Sequence, residues 1–467
     1  MVYNSFNFLV IFPLIFLLYY LIPARMNKVR TLFLLVVSYS LYMSWNPLFV
    51  LVLGGVTLVS YSTALLIEKR KQQKLWVLLI GIILTLIPLL LFKYYNFFND
   101  AIYDILQSMR ITYEHKGLNW AIPVGLSFYT LQAISYMSDV YLEKIKAEKD
   151  IVVYALYLSF FPTILMGPIN RASQLIPQIK NIRPYFDYSK SVEGMKLVLW
   201  GMFMKVVVAD RTGLYVDSIY NNYPIYSGST CFMASIMYSV QIYCDFAGYS
   251  LMAMGVGKTM GFEVTNNFRR PFFAHSVSDY WTRWHLSLSL WLRDYIYIPL
   301  GGSRAGKLKT FRNIFLTFLV SGLWHGAYWT YILWGIWHAL CVMSERFLNQ
   351  QKCYYGLYGR IVKIVIAFML VNFSRILFHS PTLLSASEVY GRIFSLEGGI
   401  FAPPSLFVIG AAMLVFVKDM RDEFFPERFR LLDNRRIAVR WCTYVLLVTI
   451  IMLEGVLDSG QFIYANF

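Results

Sequence analysis

Runs of apolar residues alternate with short polar segments along almost the entire chain. The apolar stretches lie near residues 7–23, 31–45, 47–67, 75–92, 119–140, 152–168, 192–208, 231–256, 313–345, 361–378, 402–417 and 438–456. A helix of about 20 apolar residues crosses a hydrocarbon core about 30 Å thick. The pattern therefore predicts an all-α polytopic membrane protein with about 11–13 transmembrane or re-entrant helices.

The composition argues against an ordinary soluble domain. Of the 467 residues, 58% are hydrophobic and only 15% are charged, against about 25% charged residues in a typical soluble protein. The net charge of +16 could indicate nucleic-acid binding, but the lysines and arginines cluster between apolar stretches. We therefore expect contact with membrane lipids and none with nucleic acid. The five cysteines include no CxxC pair, which argues against a disulfide framework or a thiolate metal site.

The basic loops predict the orientation of the chain. Short loops on the cytoplasmic side of a membrane are enriched in Lys and Arg. Such residues cluster at 25–30, 68–74, 144–149, 269–312 and 418–440. We expect these loops to face the cytoplasm, with the N-terminus and the C-terminus on the outer side.

Residues 262–312 break the apolar pattern. They carry Trp281, Trp284, Trp291 and many arginines, without a clean apolar span of about 20 residues. Short amphipathic or re-entrant helices at the cytoplasmic interface fit this composition, with Trp and Tyr at headgroup level. A peripheral loop that only anchors the protein fits it equally well.

Of the six histidines, His325 has the most unusual setting, because it lies in the mostly apolar segment 320–329. An ionisable side chain at membrane depth is costly and often functional. Burial disfavours the imidazolium, so the ring should be neutral near pH 7 and able to accept a proton as a general base. A structural histidine packed beside Gly322 and Gly326 would give the same local sequence.

His285 is the second candidate, because Asp279, Arg283, Ser287 and Ser289 form a polar cluster around it. The alternative is an interfacial histidine that is hydrogen-bonded to a carbonyl.

The other histidines are less promising. His338 follows His325 by thirteen residues, so on one continuous helix the two rings would point to different faces. His115 and His379 are interpreted as solvated. Because no histidine pair has the i, i+4 spacing of a helical zinc site, no metal is expected.

Sequence motifs of other enzyme classes are incomplete or absent. The segment Gly255–Thr259 ends like a phosphate-binding loop, but Met252 stands where the first glycine should be. No G-x-S-x-G nucleophile elbow occurs, and no histidine is followed by Asp at the fifth position.

Five segments together resemble the membrane-bound O-acyltransferase (MBOAT) superfamily, and within it the bacterial AlgI/PatA/DltB-like branch. They are Gln241–Ser250, Asn267–Phe272, Asp279–Ser289, Trp291–Gly302 and Ser321–Ala327. The resemblance implies a fold in which helices surround a central funnel. It also implies N-terminal transmembrane helices at 1–118, a catalytic core at 119–345 with a cytoplasmic re-entrant region at 262–312, and C-terminal helices with an extracytoplasmic tail at 346–467.

The resemblance further implies that His325 matches the catalytic histidine and His285 the second histidine of the membrane core. Substrate-binding residues are expected at Trp324, Ser321, Asp245, Arg283 and Asp279. The implied donor is a cytoplasmic acyl thioester, acetyl-CoA in the first place, with no bound cofactor. The acyl group would pass across a bacterial inner membrane to a polysaccharide or peptidoglycan. One departure is Leu251, which stands where this branch often has Asp.

The C-terminal segment Gln461–Phe467 resembles the tail of the small partner protein of D-alanyl transfer systems. Tyr464 then matches the tyrosine that carries the acyl group to an extracytoplasmic transferase, here of the SGNH type. The alternative is an interfacial aromatic belt.

Three other functions remain open. They are a D-alanyl transferase that takes its acyl group from a carrier protein, a phospholipid acyltransferase, and a non-enzymatic transporter. A transporter would show internal repeats or a row of intramembrane charges, and the sequence has neither.

Overall fold

The computed structural model describes residues 3, 5–23, 25–113, 116–182, 185–304, 306–348, 356–395, 398–426 and 430–456. Within these residues the secondary structure is helical, apart from one isolated bridge between Tyr226 and Ile400. The chain forms two compact units. Among the described residues, one comprises those of Met1–Gly194 and Val256–Thr265, and the other comprises those of Met195–Gly255 and Asn266–Ile463.

The first unit contains the N-terminal helices. Their bounds are α1 Phe6–Leu21, α2 Asn27–Met43, α3 Phe49–Lys69, α4 Lys74–Leu89, α5 Tyr95–Ser108, α6 Leu126–Tyr141, α7 Ile151–Ser159 and α8 Ala172–Lys180. A 3₁₀ turn precedes α4 and a π-helical turn joins α4 to α5, so Lys71–Ser108 forms one helical rod of 38 residues. Helices α9 (Tyr188–Met202) and α11 (Gly228–Thr259) each begin in one unit and end in the other.

The second unit contains every sequence-predicted site residue that the structure describes. Its helices are α10 Asp210–Tyr220, α12 Val277–Trp281, α13 Leu286–Leu292, α14 Lys307–His325, α15 Trp329–Phe347, α16 Leu357–His379, α17 Leu383–Phe394, α18 Leu406–Phe424 and α19 Ile437–Glu454. Phe203–Ala209 and Arg293–Tyr297 form π-helical turns, and Tyr223–Ile225 and Pro271–Phe273 form 3₁₀ turns.

Several described helices are apolar enough to cross a membrane. Phe49–Lys69, Lys71–Ser108, Leu357–His379 and Ile437–Glu454 meet the length and composition that a span requires, and Phe6–Leu21 is a shorter apolar helix. The helical architecture confirms the predicted all-α membrane fold class. The count of about 11–13 membrane elements stays a prediction.

Within residues 266–306 the described helices are short, and hydrogen bonds to Glu345 of α15 and to Asn267 within the segment hold two of them in place. The Glu345 carboxylate accepts hydrogen bonds from the backbone N–H groups of Val277 (2.6 Å) and Ser278 (2.9 Å), which start α12. The Asn267 side-chain oxygen accepts one from the N–H of Ser287 (3.1 Å) in the first turn of α13. These bonds satisfy N–H groups that a helix start otherwise leaves without partners.

Helices α14 and α15 form a tight hairpin that breaks at Gly326. A Cβ atom added to Gly322 would lie 2.3 Å from the carbonyl oxygen of Tyr331, and one added to Gly335 would lie 2.5 Å from that of Phe318. Side chains at these glycines would therefore push the helices apart. The hairpin places His325 at the C-terminal end of α14.

The substitution Gly322→Ala tests this packing. We expect it to lower the unfolding temperature in detergent by several degrees, since an overpacked core costs about 1–3 kcal/mol. Gly410→Ala in α18 is the matched control, because no atom lies within 4 Å of its added Cβ. The control should be as stable as the wild type or slightly more stable. Equal stability of Gly322→Ala and the wild type would contradict the tight contact.

Candidate active site

His325 is buried, with 3% of its surface exposed, and aromatic rings surround it. Its ring centroid lies 5.0 Å from that of Trp324, and 5.1 Å from those of both Trp334 and Phe378. Trp334 and Phe378 meet the imidazole nearly at right angles. The ring is therefore fixed by packing in a water-poor environment.

His285 is also buried, with 1% of its surface exposed. Its ring contacts Phe246 on α11 at 4.6 Å and Trp324 at 5.9 Å between centroids. Trp324 thus contacts both histidines. The structure brings together three of the predicted residues, His285, Trp324 and His325, and we call them the histidine site.

The backbone at His285 is strained. Its φ of 44° lies in the left-handed region, which is uncommon for a residue with a side chain. The strain is held in place by Asn267, whose carbonyl oxygen accepts a hydrogen bond from the N–H of Leu286 at 3.0 Å. Strained backbone that the surroundings fix in this way is common at functional sites.

His338 is a structural residue. The indole N–H of Trp281 donates to its Nδ1 atom (3.3 Å), so its Nε2 atom carries the proton and donates to Ser374 Oγ (2.9 Å). Both ring nitrogens are therefore satisfied, and the ring links α12, α15 and α16. The premise that His325 and His338 lie on one continuous helix does not hold. The helix ends between them, and both rings contact Trp334, at 5.1 Å and 4.7 Å.

Asp279 and Arg283 form a clamp rather than a free polar pair. Arg283 donates to Asp279 (3.0 Å) and to Glu423 on α18 (2.8 Å), and Arg270 also donates to Glu423 (3.2 Å). Burial alone would raise the pKa of Asp279, but hydrogen bonds from the His275 backbone and from Arg283 lower it below its usual value. The clamp ties the end of α12 to α18. A substrate contact by Asp279 or Arg283 stays a prediction.

Asp245 belongs to a buried ionic triad that the sequence analysis missed. The ammonium group of Lys205 lies 2.5 Å from Asp245 and 2.7 Å from Asp210, and all three side chains are at most 3% exposed. Lys205 sits in the π-helical turn Phe203–Ala209, and such turns are frequent at functional sites. A lysine inside the apolar stretch 192–208 was the available signal. Substrate binding by Asp245 stays a prediction.

Ser321 lies one turn before His325 on α14, and it is 1% exposed. Its hydroxyl has no hydrogen-bond partner among the described residues, and neither has the indole N–H of Trp334. A buried polar group without a partner costs about 1–3 kcal/mol. Trp334 was not predicted, because one tryptophan in an apolar helix gives no signal of chemistry.

Arg375 is a further residue that was not predicted from the sequence. It is 3% exposed in α16, a helix apolar enough to span a membrane. Its guanidinium lies 4.4 Å above the ring of Trp284 and donates to the hydroxyl of Tyr280. A charge at membrane depth is a functional signal that the sequence already carried.

Tyr464 and His115 lie outside the described residues. In the ranges that are described, no group of three His, Cys, Asp or Glu side chains could hold a metal ion.

Comparison with known proteins gives consistent results. The model of the MBOAT, membrane-bound O-acyltransferase family, matches residues 35–380. The chain is 37% identical over 400 residues to the probable alginate O-acetylase AlgI of Pseudomonas aeruginosa, with 85% of this chain and 75% of that protein covered. It is 32% identical over 417 residues to the peptidoglycan O-acetyltransferase of Helicobacter pylori, with 83% and 78% covered. The teichoic acid D-alanyltransferase of Bacillus subtilis is 26% identical over 328 residues, with 66% and 79% covered.

Proposed function

Because the chain belongs to the membrane-bound O-acyltransferase family, we propose that it transfers an acetyl group from cytoplasmic acetyl-CoA across the bacterial inner membrane. The group is destined for O-acetylation of a cell-surface or extracellular polysaccharide or peptidoglycan. The similarity to an alginate O-acetylase and to a peptidoglycan O-acetyltransferase supports this choice of acyl group and acceptor.

The observation that carries the proposal is the histidine site. Two buried imidazoles share Trp324 as a neighbour in an aromatic environment. His325 acts as the general base, taking the proton of an acceptor hydroxyl while that oxygen attacks the thioester carbonyl. Its place at the C-terminal end of α14 favours the positive charge that the ring then gains. His285, whose backbone is held by the hydrogen bond between Leu286 and Asn267, orients the reactants.

The direction of transfer rests on the charge of the loops. Basic residues at 68–74, 144–149 and 269–312 support a cytoplasmic entry for the donor. The partner on the outer side is an SGNH-type transferase, which receives the acyl group and places it on the polymer. Trp324, Ser321, Asp245, Arg283 and Asp279 are proposed to contact the substrates.

A D-alanyl transferase that uses an acyl carrier protein is the second candidate. The Bacillus subtilis relative favours it, although at lower identity and over a smaller share of this chain than the O-acetylases. Assays of the purified protein with acetyl-CoA and with a D-alanyl carrier protein separate the two.

The substitution His325→Gln tests the catalytic role. We expect acyl transfer from acetyl-CoA to fall by about 100-fold or more, since an amide cannot take up the proton. His338→Gln is the matched control, because it makes the same change in a buried histidine that also contacts Trp334. The control should unfold at a lower temperature and keep its kcat. Release of thiol by the purified protein with a hydroxyl acceptor measures both variants. Wild-type kcat in His325→Gln would refute the assignment.

Tyr464 is proposed to carry the acyl group to the partner. The chain before the tail is anchored, since the N–H of Val456 donates to the carbonyl of Val206 (3.0 Å) and Arg211 pairs with Glu454 (3.0 Å). From Val456 to Tyr464 an extended chain reaches at most about 28 Å. A phenol with a pKa near 10 needs a base such as His325 to react.

The substitution Tyr464→Phe keeps the ring and removes only the nucleophile. We expect it to abolish polymer acylation in cells. Mass spectrometry of the C-terminal peptide after incubation with acetyl-CoA should find the acyl ester in the wild type and not in His325→Gln. Full polymer acylation by Tyr464→Phe would leave the tail as an aromatic anchor.

A further inference from the structure

Three buried donor groups near His325 have no hydrogen-bond acceptor within the described part of the chain. They are the hydroxyl of Ser321, the indole N–H of Trp334 and the Nε–H of Arg375. The three residues are 1%, 2% and 3% exposed, respectively. Such groups are normally satisfied in folded proteins, so each exception calls for an explanation.

The three residues belong to one neighbourhood. Ser321 precedes His325 by one helical turn, and the ring of Trp334 lies 5.1 Å from the imidazole. The ring of Phe378 lies 5.1 Å from that of His325 and 5.6 Å from that of Trp334, and the Arg375 guanidinium lies 5.9 Å from it. Helices α14, α15 and α16 thus each contribute one donor: Ser321 lies one turn from the proposed base, Trp334 contacts it directly, and Arg375 is linked to it through Phe378.

Arg375 adds a positive charge to this neighbourhood. No carboxylate of the described residues forms an ion pair with its guanidinium. Instead, the group rests on Trp284 at 4.4 Å and donates to Tyr280. Contact with an aromatic face only partly offsets the burial of a cation. A bound negative charge would offset the rest of the cost of burying the Arg375 guanidinium.

Two tryptophans near Trp334, one in α15 and one in α12, have acceptors for their indole N–H groups. One turn further along α15, the indole N–H of Trp337 donates to the backbone carbonyl of Leu370 at 3.0 Å. The indole N–H of Trp281, which packs against Trp334, donates to His338. The indole N–H groups of Trp281 and Trp337 are therefore satisfied, whereas that of Trp334, which contacts His325, has no acceptor among the described residues.

We propose that Ser321, Trp334 and Arg375 form an oxyanion site for the acyl thioester. This inference rests on the proposed function, since it assigns the negative charge to the reaction that His325 starts. The acceptor oxygen bonds to the carbonyl carbon, its proton goes to His325, and the electron pair of the C=O double bond moves to the oxygen. The three donors hold that oxyanion. When the C=O bond re-forms, the C–S bond breaks and the leaving thiolate takes the proton from His325.

The residue types fit this role. All three groups are donors, which suits a ligand that only accepts hydrogen bonds. Donors held in a water-poor site need no reorganisation when charge develops, and this arrangement is effective in stabilising a transition state. Arg375 also supplies the charge that neutralises the oxyanion.

The substitution Trp334→Phe tests the site with the smallest change, because it keeps an aromatic ring against His325 and removes the N–H. Loss of one oxyanion donor lowers kcat by roughly 100-fold. We expect that loss with KM within about twofold of the wild type, since the contact forms only in the transition state. Trp337→Phe makes the same change in α15 where the N–H already has an acceptor. It should reduce thermal stability and leave kcat unchanged.

Ser321→Ala and Arg375→Lys complete the experiment. Ser321→Ala removes one oxygen and should also lower kcat at unchanged KM. Arg375→Lys keeps the charge and should retain more activity than Arg375→Met. Wild-type kcat in both Trp334→Phe and Ser321→Ala, or a change confined to KM, would overturn the oxyanion site. Failure of the proposed function would differ, because the wild type itself would then release no thiol from acetyl-CoA in the presence of a hydroxyl acceptor.

Discussion

A polar group held away from water must find a partner, and this constraint orders the second unit. Most of its buried polar side chains meet the constraint within the protein. Lys205 pairs with two aspartates, and His338 uses both ring nitrogens. Polar groups that are paired in this way contribute to the specificity and rigidity of the fold.

Among the described residues, three donors beside His325 do not meet the constraint: the Ser321 hydroxyl, the Trp334 indole N–H and the Arg375 Nε–H. Ser321, Trp334 and Arg375 lie where the aromatic rings of α14, α15 and α16 exclude water. Donors without an acceptor beside the proposed base form the preorganised environment that the proposed oxyanion site requires. The two histidines therefore differ in their surroundings. Both ring nitrogens of His338 have hydrogen-bond partners, whereas donors without an acceptor among the described residues lie near His325, the proposed base.

The sequence predicted part of this site well, and physical reasons explain the rest. His285, Trp324 and His325 were found because ionisable residues in apolar segments stand out and because the surrounding motifs resemble a family. The His338 prediction assumed a continuous helix, which the break at Gly326 invalidates. Arg375 is distant in sequence from the other residues, and only the packing of α16 against α15 and α12 shows that it lies near them. The Asp279–Arg283 clamp likewise depends on Glu423, which no local pattern connects to it.

Transfer across the membrane is the central claim, and the sidedness of the reaction tests it most directly. Inside-out and right-side-out vesicles from cells that make the protein receive radiolabelled acetyl-CoA on their outer surface only. The account predicts that inside-out vesicles alone incorporate the label into ester. An added esterase should remove that label only after the vesicles are opened. Incorporation by right-side-out vesicles, or an ester exposed on the same face as the donor, would contradict it.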